Sequence, residues 1–475
     1  MKAGNSNKEQ GVKKVFLPFY LFTSLLFFVA VLLFFGLAYP HHLHYQEQYQ
    51  LFLFDSTYVL EIVKLPGGIA DLLGRFCTQF FLYAWVGALI IALLLSMVQL
   101  LTLRLANGQW SMVNGQWSYG LTFVPSFLLW LFLLDENALL GGIWAVLLTL
   151  LAIWACVMSP SGWPRRILIL VAIPVLYWIA LGGSHYHRYP TVTPYLLYAA
   201  WLSAIILPFI VRASHKWLSI SSDSKNRGVA LFTFVLVAVV MGTIVWKNAN
   251  FKAEKVMQYD FMARHQQWNR ILQVINVEKP NNQIGVTVQN LALAMHGMLL
   301  EHMSDYHQNG IAGLLPDVKE DATSPLPTAE AFYYLGMINV AQRTVFEAQE
   351  AILDFQKSGR CYKRLAQTNL INGNYEVARK YLTALQKTLF YRGWANETLP
   401  LLGNEKAIAA HPEYGHLRQS AYNEDFYFSD HVTPEMLESL YFRNTDNRLA
   451  YQYLLAYYML TGDRERFNQF MSAKQ

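Results

Sequence analysis

The residues best suited to chemistry lie in one polar stretch, residues 39–76, between two long apolar segments. It holds four acids, of which Glu47 comes soonest after the first apolar segment and Asp55 comes second. A carboxylate in this position could hold a divalent cation or act as a base on an acceptor hydroxyl. Glu47 is flanked by Gln46 and Gln48 rather than by a second acid. The alternative, that Glu47 only solvates a surface helix, therefore stays open.

Two histidine clusters are the candidates for a metal site. One holds His41, His42 and His44, and the other holds His185 and His187. Imidazole is a common ligand of zinc and copper, so a site would form if the two clusters converged. His and Tyr are also ordinary residues at the ends of membrane helices, and the second cluster has no Asp, Glu or Cys beside it. We therefore predict no metal and no cofactor.

Other chemical signatures are missing from the sequence. The three cysteines, Cys77, Cys156 and Cys361, are too widely spaced for a zinc knuckle or a redox pair, and are expected to be packing residues. No P-loop, dinucleotide-binding, zinc-protease or serine-hydrolase motif occurs. The formal charge is +5, but the Lys and Arg residues do not form a dense basic stripe. The sequence therefore does not predict binding to nucleic acid. No specific reaction is predicted.

The sequence that must position these residues changes in character at residue 246, where an apolar half gives way to a charged half. Charged residues are sparse before it and dense after it, and a bilayer does not solvate charges. Residues 1–14 form a polar tail, and residues 15–246 are predicted to form a transmembrane domain of about seven helices. The predicted spans are 15–38, 77–103, 119–134, 138–157, 166–182, 192–211 and 229–246.

The loops predict an orientation. With the N-terminus in the cytoplasm, the cytoplasmic side receives most of the basic residues. These are Lys2, Lys8, Lys13, Lys14, Arg104, Arg165, Arg166, Arg212, Lys216, Lys225 and Arg227, against Lys64, Arg75 and Arg188 on the other side. An odd number of spans then places residues 252–475 outside the cytoplasm.

The first outer loop is expected to lie on the membrane surface. Its apolar residues, which include Leu51, Phe52 and Phe54, suit short amphipathic helices. A helix that opens at Ile69 is expected to run into the second span. On that helix Asp71 and Arg75 are four residues apart, so they can pair on one face.

The C-terminal half has the pattern of helical hairpins. Its clearest unit, CYKRLAQTNLINGNYEVARKYLTAL at 361–385, resembles a tetratricopeptide repeat, with Gly373, Tyr375 and Ala378 at the turn. Less regular units follow the same pattern near Trp268, Gly336 and Gly462. An insertion at about 398–447 separates the unit at 361–385 from the final unit near Gly462. The resemblance implies stacked hairpins, which suit the binding of a protein or peptide partner.

The whole chain also resembles an uncharacterised family of bacterial multi-pass membrane proteins. The segments that carry this resemblance are PHHLHYQEQYQLF, LPGGIADLLGRF, GLLPDVKEDATSPLPTAEAFYYLGMINVAQR and LINGNYEVARKYL. In outline the chain is also similar to membrane glycosyltransferases that use lipid-linked sugars, which have a large outer loop with an acid after the first span. Only Arg75 and Arg188 would be available there for a lipid phosphate.

These features favour an all-α protein of the bacterial inner membrane. The expected function is a non-catalytic one, in which the extracytoplasmic repeat domain binds a partner while membrane lipid surrounds the spans. The alternative is a glycosyltransferase-like activity that uses Glu47.

Overall fold

A computed structural model describes residues 19–107, 119–158, 162–163, 167–168, 171, 194–217, 226–317, 324–352, 356–422 and 432–472. Within these ranges the chain is helical and contains no strand, so the predicted all-α class is confirmed. The chain divides into two compact units. The apolar unit comprises Met1–Glu47 and Asp55–Phe251, and the C-terminal unit comprises Gln48–Phe54 and Lys252–Gln475.

The apolar unit is built from long helices joined by shorter ones. They are α1 (Phe19–Ala38), α2 (Pro40–Gln46), α3 (Ser56–Val63), α4 (Gly68–Thr78), α5 (Ala84–Asn107), α6 (Val124–Phe132), α7 (Leu140–Met158), α8 (Pro194–Trp217) and α9 (Asn226–Asn248). Among the described residues four helices, α1, α5, α7 and α9, are long and apolar enough to cross a membrane, which is fewer than the seven that the sequence predicts. Shorter apolar stretches occur at Gly120–Phe132 and Tyr195–Pro208, and the predicted span 166–182 lies almost entirely outside the described residues.

Two expectations for the first loop are wrong. The helix around Ile69 does not run into the second span, because α4 ends at Thr78 and a 3-10 turn, Gln79–Leu82, separates it from α5. Leu51 to Phe54 are not helical, although Tyr58 and Val59 do lie in the expected short helix α3. The apolar character of Leu51 and Phe52 has a different cause, since both are buried.

Hydrogen bonds between the termini of different helices define two opposite ends of the apolar unit. At the first, the loop end, the imidazole of His42 donates from Nε2 to the carbonyl of Leu133 (2.8 Å), and the backbone N–H of Asn250 donates to the hydroxyl of Tyr39 (3.0 Å). The opposite end brings the start of α1 to Tyr119, whose hydroxyl is hydrogen-bonded to Thr23. The helices α1, α5, α6 and α9 therefore extend from one end to the other.

The C-terminal unit consists of short helices that pack mostly against their neighbours in sequence. They are α10 (Phe251–Arg264), α11 (Trp268–Glu278), α12 (Gln283–Met295), α13 (Leu299–His302), α14 (Ile311–Leu314), α15 (Pro325–Leu335), α16 (Ile338–Ala351), α17 (Gly359–Ile371), α18 (Tyr375–Gln386), α19 (Arg392–Thr398), α20 (Glu405–Ala410), α21 (Tyr414–Ser420), α22 (Pro434–Arg443), α23 (Arg448–Thr461) and α24 (Arg464–Ser472). The predicted insertion at 398–447 contains α20, α21 and α22, and α22 packs against α23.

Glycine makes the turns of the hairpins α15–α16 and α17–α18. Gly336 and Gly373 end the first helix of each pair with φ values of +94° and +79°. A side chain is strained in this left-handed conformation, so glycine permits the tight reversal. Ala378 on α18 is fully buried, which allows the close approach of α17 and α18 that the sequence predicts.

The C-terminal unit also holds an extended segment from the first loop, Gln48–Phe54. The backbone N–H of Leu51 donates to the carbonyl of Lys357 (2.8 Å), and that of Phe54 donates to the carbonyl of Lys387 (2.7 Å). The Leu51 side chain lies in a core that includes Leu365 and Leu382. The segment is therefore part of the core of the C-terminal unit rather than a membrane-surface helix.

A test of the apolar unit uses Gly74, at the crossing of α4 and α7. A Cβ on Gly74 would lie 2.4 Å from the backbone nitrogen of Gly141. We expect Gly74→Ala to destabilise the protein by about 1–3 kcal/mol, because backbone atoms must move. The measurement is the melting temperature of the purified protein in detergent. Gly242→Ala is the control, since nothing lies within 4 Å of its Cβ. Equal melting temperatures for the two variants would contradict this crossing.

Candidate functional site

Glu47 lies at the end of α2, whose position is set by hydrogen bonds within the apolar unit. Pro40 starts the helix, and the amide of Gln46 donates to the carbonyl of Ala138 (3.3 Å). Glu47 then opens a 3-10 turn and is only 5% exposed. A carboxyl in this environment is held in place, which differs from the solvated surface acid that was the alternative.

The first histidine cluster is used for packing. His42 is fully buried, and burial lowers the pKa of its imidazole to about 4, so the ring is neutral at neutral pH. Because His42 Nε2 donates to Leu133 and His44 Nδ1 donates to the carbonyl of Phe81 (3.1 Å), neither nitrogen can also ligate a metal. Among the described residues no group of His, Cys, Asp or Glu could hold a metal ion. His185 and His187 lie outside the described residues.

The other first-loop candidates have structural partners. The Asp55 carboxylate accepts hydrogen bonds from the backbone N–H groups of Thr57 (2.9 Å) and Tyr58 (3.3 Å), so it caps α3. The predicted pair on α4 forms, with 2.7 Å between Arg75 Nη2 and Asp71 Oδ2. Asp55 therefore has a local role, and the charge of Arg75 is already balanced. Arg188 lies outside the described residues.

A second site is found in the C-terminal unit, around Arg360. Its guanidinium donates to both carboxylate oxygens of Asp260 (2.7 and 2.8 Å), to Glu330 (3.2 Å) and to the side-chain amide oxygen of Gln48 (3.2 Å). Arg360 is only 6% exposed and Asp260 is 8% exposed. Two charges out of water are tolerated here because Arg360 has three partners and both carboxylate oxygens of Asp260 accept from it.

Arg364 extends this network along α17. It donates to the second carboxylate oxygen of Glu330 (2.5 Å), and its guanidinium lies 3.7 Å from the ring centre of Tyr333. Burial opposes ionisation of Glu330, but the charges of Arg364 and Arg360 outweigh it and hold the pKa of that carboxyl below its usual value. The hydroxyl of Tyr333 in turn donates to Glu413 (2.6 Å).

Helical spacing brings these side chains to one place. Arg360, Lys363, Arg364 and Gln367 recur at intervals of three or four residues, which puts them on one face of α17. The acids come from other helices, with Asp260 and Arg264 four residues apart on α10, Glu330 and Tyr333 three apart on α15, and Glu413 at the start of α21. We refer to Asp260, Arg264, Glu330, Arg360, Lys363, Arg364 and Glu413 as the charged cluster.

Two cations of the charged cluster have no carboxylate partner within the described residues. Lys363 lies 5.1 Å from the ring centre of Trp394, and Arg264 lies 5.7 Å from that of Phe261. The Nη2 atom of Arg264 is buried and has no hydrogen-bond acceptor in the part of the chain that the structure describes. Such donors cost free energy unless something accepts from them.

The local backbone explains where Arg264 is held. It is the last residue of α10, and the turn after it passes through Gln266, which has a φ of +55°. This left-handed residue ends the helix, as glycine does in the hairpins above. The N–H of Gln267 then donates back to the carbonyl of Met262 (2.9 Å), which closes the turn.

Sequence reasoning missed the charged cluster. The run CYKRLAQ was interpreted only by its repeat-like residues Leu365 and Ala366, both of which are fully buried. The available signal was the polar stripe that begins at Arg360 and continues along one face of the predicted helix. The partner acids could not be found in this way, because Asp260 and Glu330 are distant in sequence.

Comparisons with known proteins identify a family and no activity. The profile of a family of unknown function (DUF6057) matches residues 16–186 and 180–475. No match was found among curated proteins or among solved structures.

The charged cluster can be tested through Arg360. We expect Arg360→Met to destabilise the protein by about 3–5 kcal/mol, because it leaves Asp260 buried without its cation and removes one of the two cations of Glu330. Arg343→Met is the control, since Arg343 forms an exposed pair with Glu347 worth at most about 1 kcal/mol. Thermal unfolding followed by circular dichroism measures both. A similar loss of stability in the two variants would contradict the buried network.

Proposed function

This chain belongs to the DUF6057 family of unknown function, and we propose that it is a membrane protein whose C-terminal unit binds a protein partner. In this proposal the protein lies in the bacterial inner membrane and crosses it seven times, with its N-terminus in the cytoplasm. The C-terminal unit is a tetratricopeptide-like array outside the cytoplasm. The observation that carries the function is the pair of uncompensated cations in the charged cluster.

The seven crossings are supported by the positions of helix ends. The helix α7 begins at the loop end, where Gln46 contacts Ala138, and its 19 residues are long enough to reach the opposite end at roughly 28 Å. The helix α8 also begins at the loop end, because Leu197 packs against Gly142. The seventh passage of this proposal is the span 166–182 that the sequence predicts, which lies almost entirely outside the described residues. It would join the end of α7 to the start of α8, in addition to the passages proposed for α1, α5, α6, α7, α8 and α9.

The extended segment supports the same topology. Gln48–Phe54 belongs to the C-terminal unit, while the residues on both sides of it in the chain belong to the apolar unit. In our proposal the first loop and residues 252–475 accordingly lie on one side of the membrane, with an even number of passages after the first loop and an odd total. The surplus of basic residues around the opposite end supports a cytoplasmic location for that end.

The binding function is supported by the composition of the charged cluster. Helical hairpins stacked in sequence create extended surfaces that commonly bind peptides and proteins. A cluster formed only for stability would be expected to balance its charges, because burial penalises an unpaired charge. Arg264 and Lys363 are instead only half-buried and have no acid partner among the described residues. Cations placed in this way are suited to an external anion.

Cysteine labelling tests the topology. In a variant without Cys77 and Cys156, we expect Val277→Cys and Glu61→Cys both to react with a membrane-impermeant maleimide in spheroplasts. Val277 is 84% exposed and Glu61 is also exposed, so access to the thiols is not limited by packing. A reporter that functions only outside the cytoplasm, fused after Gln475, should be active. Labelling of one position without the other would contradict a shared side, and a silent reporter on an intact fusion would contradict the orientation.

Photocrosslinking in cells tests the binding function. We expect a photoreactive amino acid at His265, which is exposed beside Arg264, to form a discrete adduct with one protein, identified by mass spectrometry. The control is the same amino acid at Val277, on the neighbouring helix α11. The absence of an adduct at His265, or identical adducts at both positions, would contradict partner binding at the charged cluster.

A further inference from the structure

We propose that Arg264 and Lys363 bind a carboxylate of an acidic peptide segment. This inference rests on the proposed partner-binding function and specifies the chemistry of the partner. It is derived from the charge balance of the cluster, the contacts of its two uncompensated cations with aromatic rings, and the way in which the same unit holds an extended segment of its own chain.

The acids of the cluster are already engaged. Asp260 and Glu330 accept from Arg360 and Arg364, and the Glu413 carboxylate accepts from Tyr333 (2.6 Å) and Gln367 (3.3 Å). None of these acids lies within ion-pair distance of Arg264 or Lys363. A ligand anion would therefore not have to displace an existing ion pair.

The net charge of the charged cluster favours a ligand that carries one negative charge. Four cationic side chains accompany three carboxylates, which leaves one positive charge. One carboxylate balances that charge, whereas a dianionic phosphate would exceed it. Burial lowers the pKa of Lys363, and the neighbouring charges of Arg364 and Arg264 lower it further, against the opposite effect of Glu413. An anion between the two cations relieves this repulsion.

The ring contacts of the two cations leave their N–H donors available. The ammonium of Lys363 lies over Trp394 and the guanidinium of Arg264 lies over Phe261, and such contacts satisfy charge without accepting a conventional hydrogen bond. A carboxylate accepts several charge-assisted hydrogen bonds from these donor types. The buried Nη2 atom of Arg264 would gain the acceptor that it lacks.

A peptide is favoured as the source of the carboxylate because the unit already binds an extended one. Backbone N–H groups of Leu51 and Phe54 donate to carbonyls at Lys357 and Lys387, and Gln48 contacts Arg360 of the charged cluster. The ends of the hairpin helices in this unit therefore offer main-chain acceptors to an extended chain. A second extended segment with an acidic residue would use the same chemistry.

The test measures binding of fluorescein-labelled peptides to the full-length protein in detergent by fluorescence anisotropy. The probes are an octapeptide of alternating Glu and Tyr, its Gln analogue, and both peptides with amidated C-termini. We expect the Glu peptide to bind at least about tenfold more tightly than the Gln peptide, and Arg264→Gln or Lys363→Gln to remove that difference. If only the free C-terminus mattered, amidation would abolish binding, which would identify the terminal carboxylate as the source.

The controls separate this site from general electrostatics and from misfolding. Arg343→Gln and Lys380→Gln each remove one exposed charge and should leave binding unchanged. Arg264→Lys keeps the charge and should retain part of the Glu preference. Equal binding of Glu and Gln peptides, or equal losses in the control variants, would overturn the carboxylate site. Preferential binding of an oligosaccharide of glucuronic acid, whose carboxylate is not part of a peptide, would overturn the acidic peptide as the ligand. If the His265 adduct still formed in those cases, partner binding would stand while this inference fell.

Discussion

The buried ion pair between Arg360 and Asp260 is the interaction on which the C-terminal unit depends. Through Arg360, the helix α17 is joined to α10, to α15 by way of Glu330, and to the first loop by way of Gln48. Burying either charge without its partner would cost free energy, so the two partners must be present together. The relative positions of these elements within the unit therefore follow from one guanidinium and its acceptors.

In the apolar unit, glycines at close helix crossings have the corresponding role. Gly74 lets α4 contact the backbone of α7 near Gly141, and Gly120 lies against the backbone of α9 at Thr233. Four helices of this unit could cross a membrane, and in lipid such helices would associate through close packing and a few hydrogen bonds rather than through hydrophobic burial. The hydrogen bonds of His42 and Tyr39 add such contacts at the loop end.

Features that depend on neighbours in sequence could be predicted, and features that depend on distant ones could not. The helical class, the glycine turn at Gly373 and the pair of Asp71 with Arg75 each follow from spacing of a few residues. The burial of Leu51 in the C-terminal unit, and the meeting of Asp260 with Arg360, involve positions far apart. Apolar side chains look alike whether they face lipid or a protein core, which is why Leu51 and Phe52 were assigned to the membrane surface.

The discontinuity of the C-terminal unit has a consequence for its biogenesis. Gln48–Phe54 leaves the ribosome long before Arg360 is synthesised. During that interval Leu51 has no core to enter, and Gln48 has no guanidinium to accept from. The C-terminal unit therefore completes its core only after the apolar helices that separate its two parts in the sequence have been synthesised.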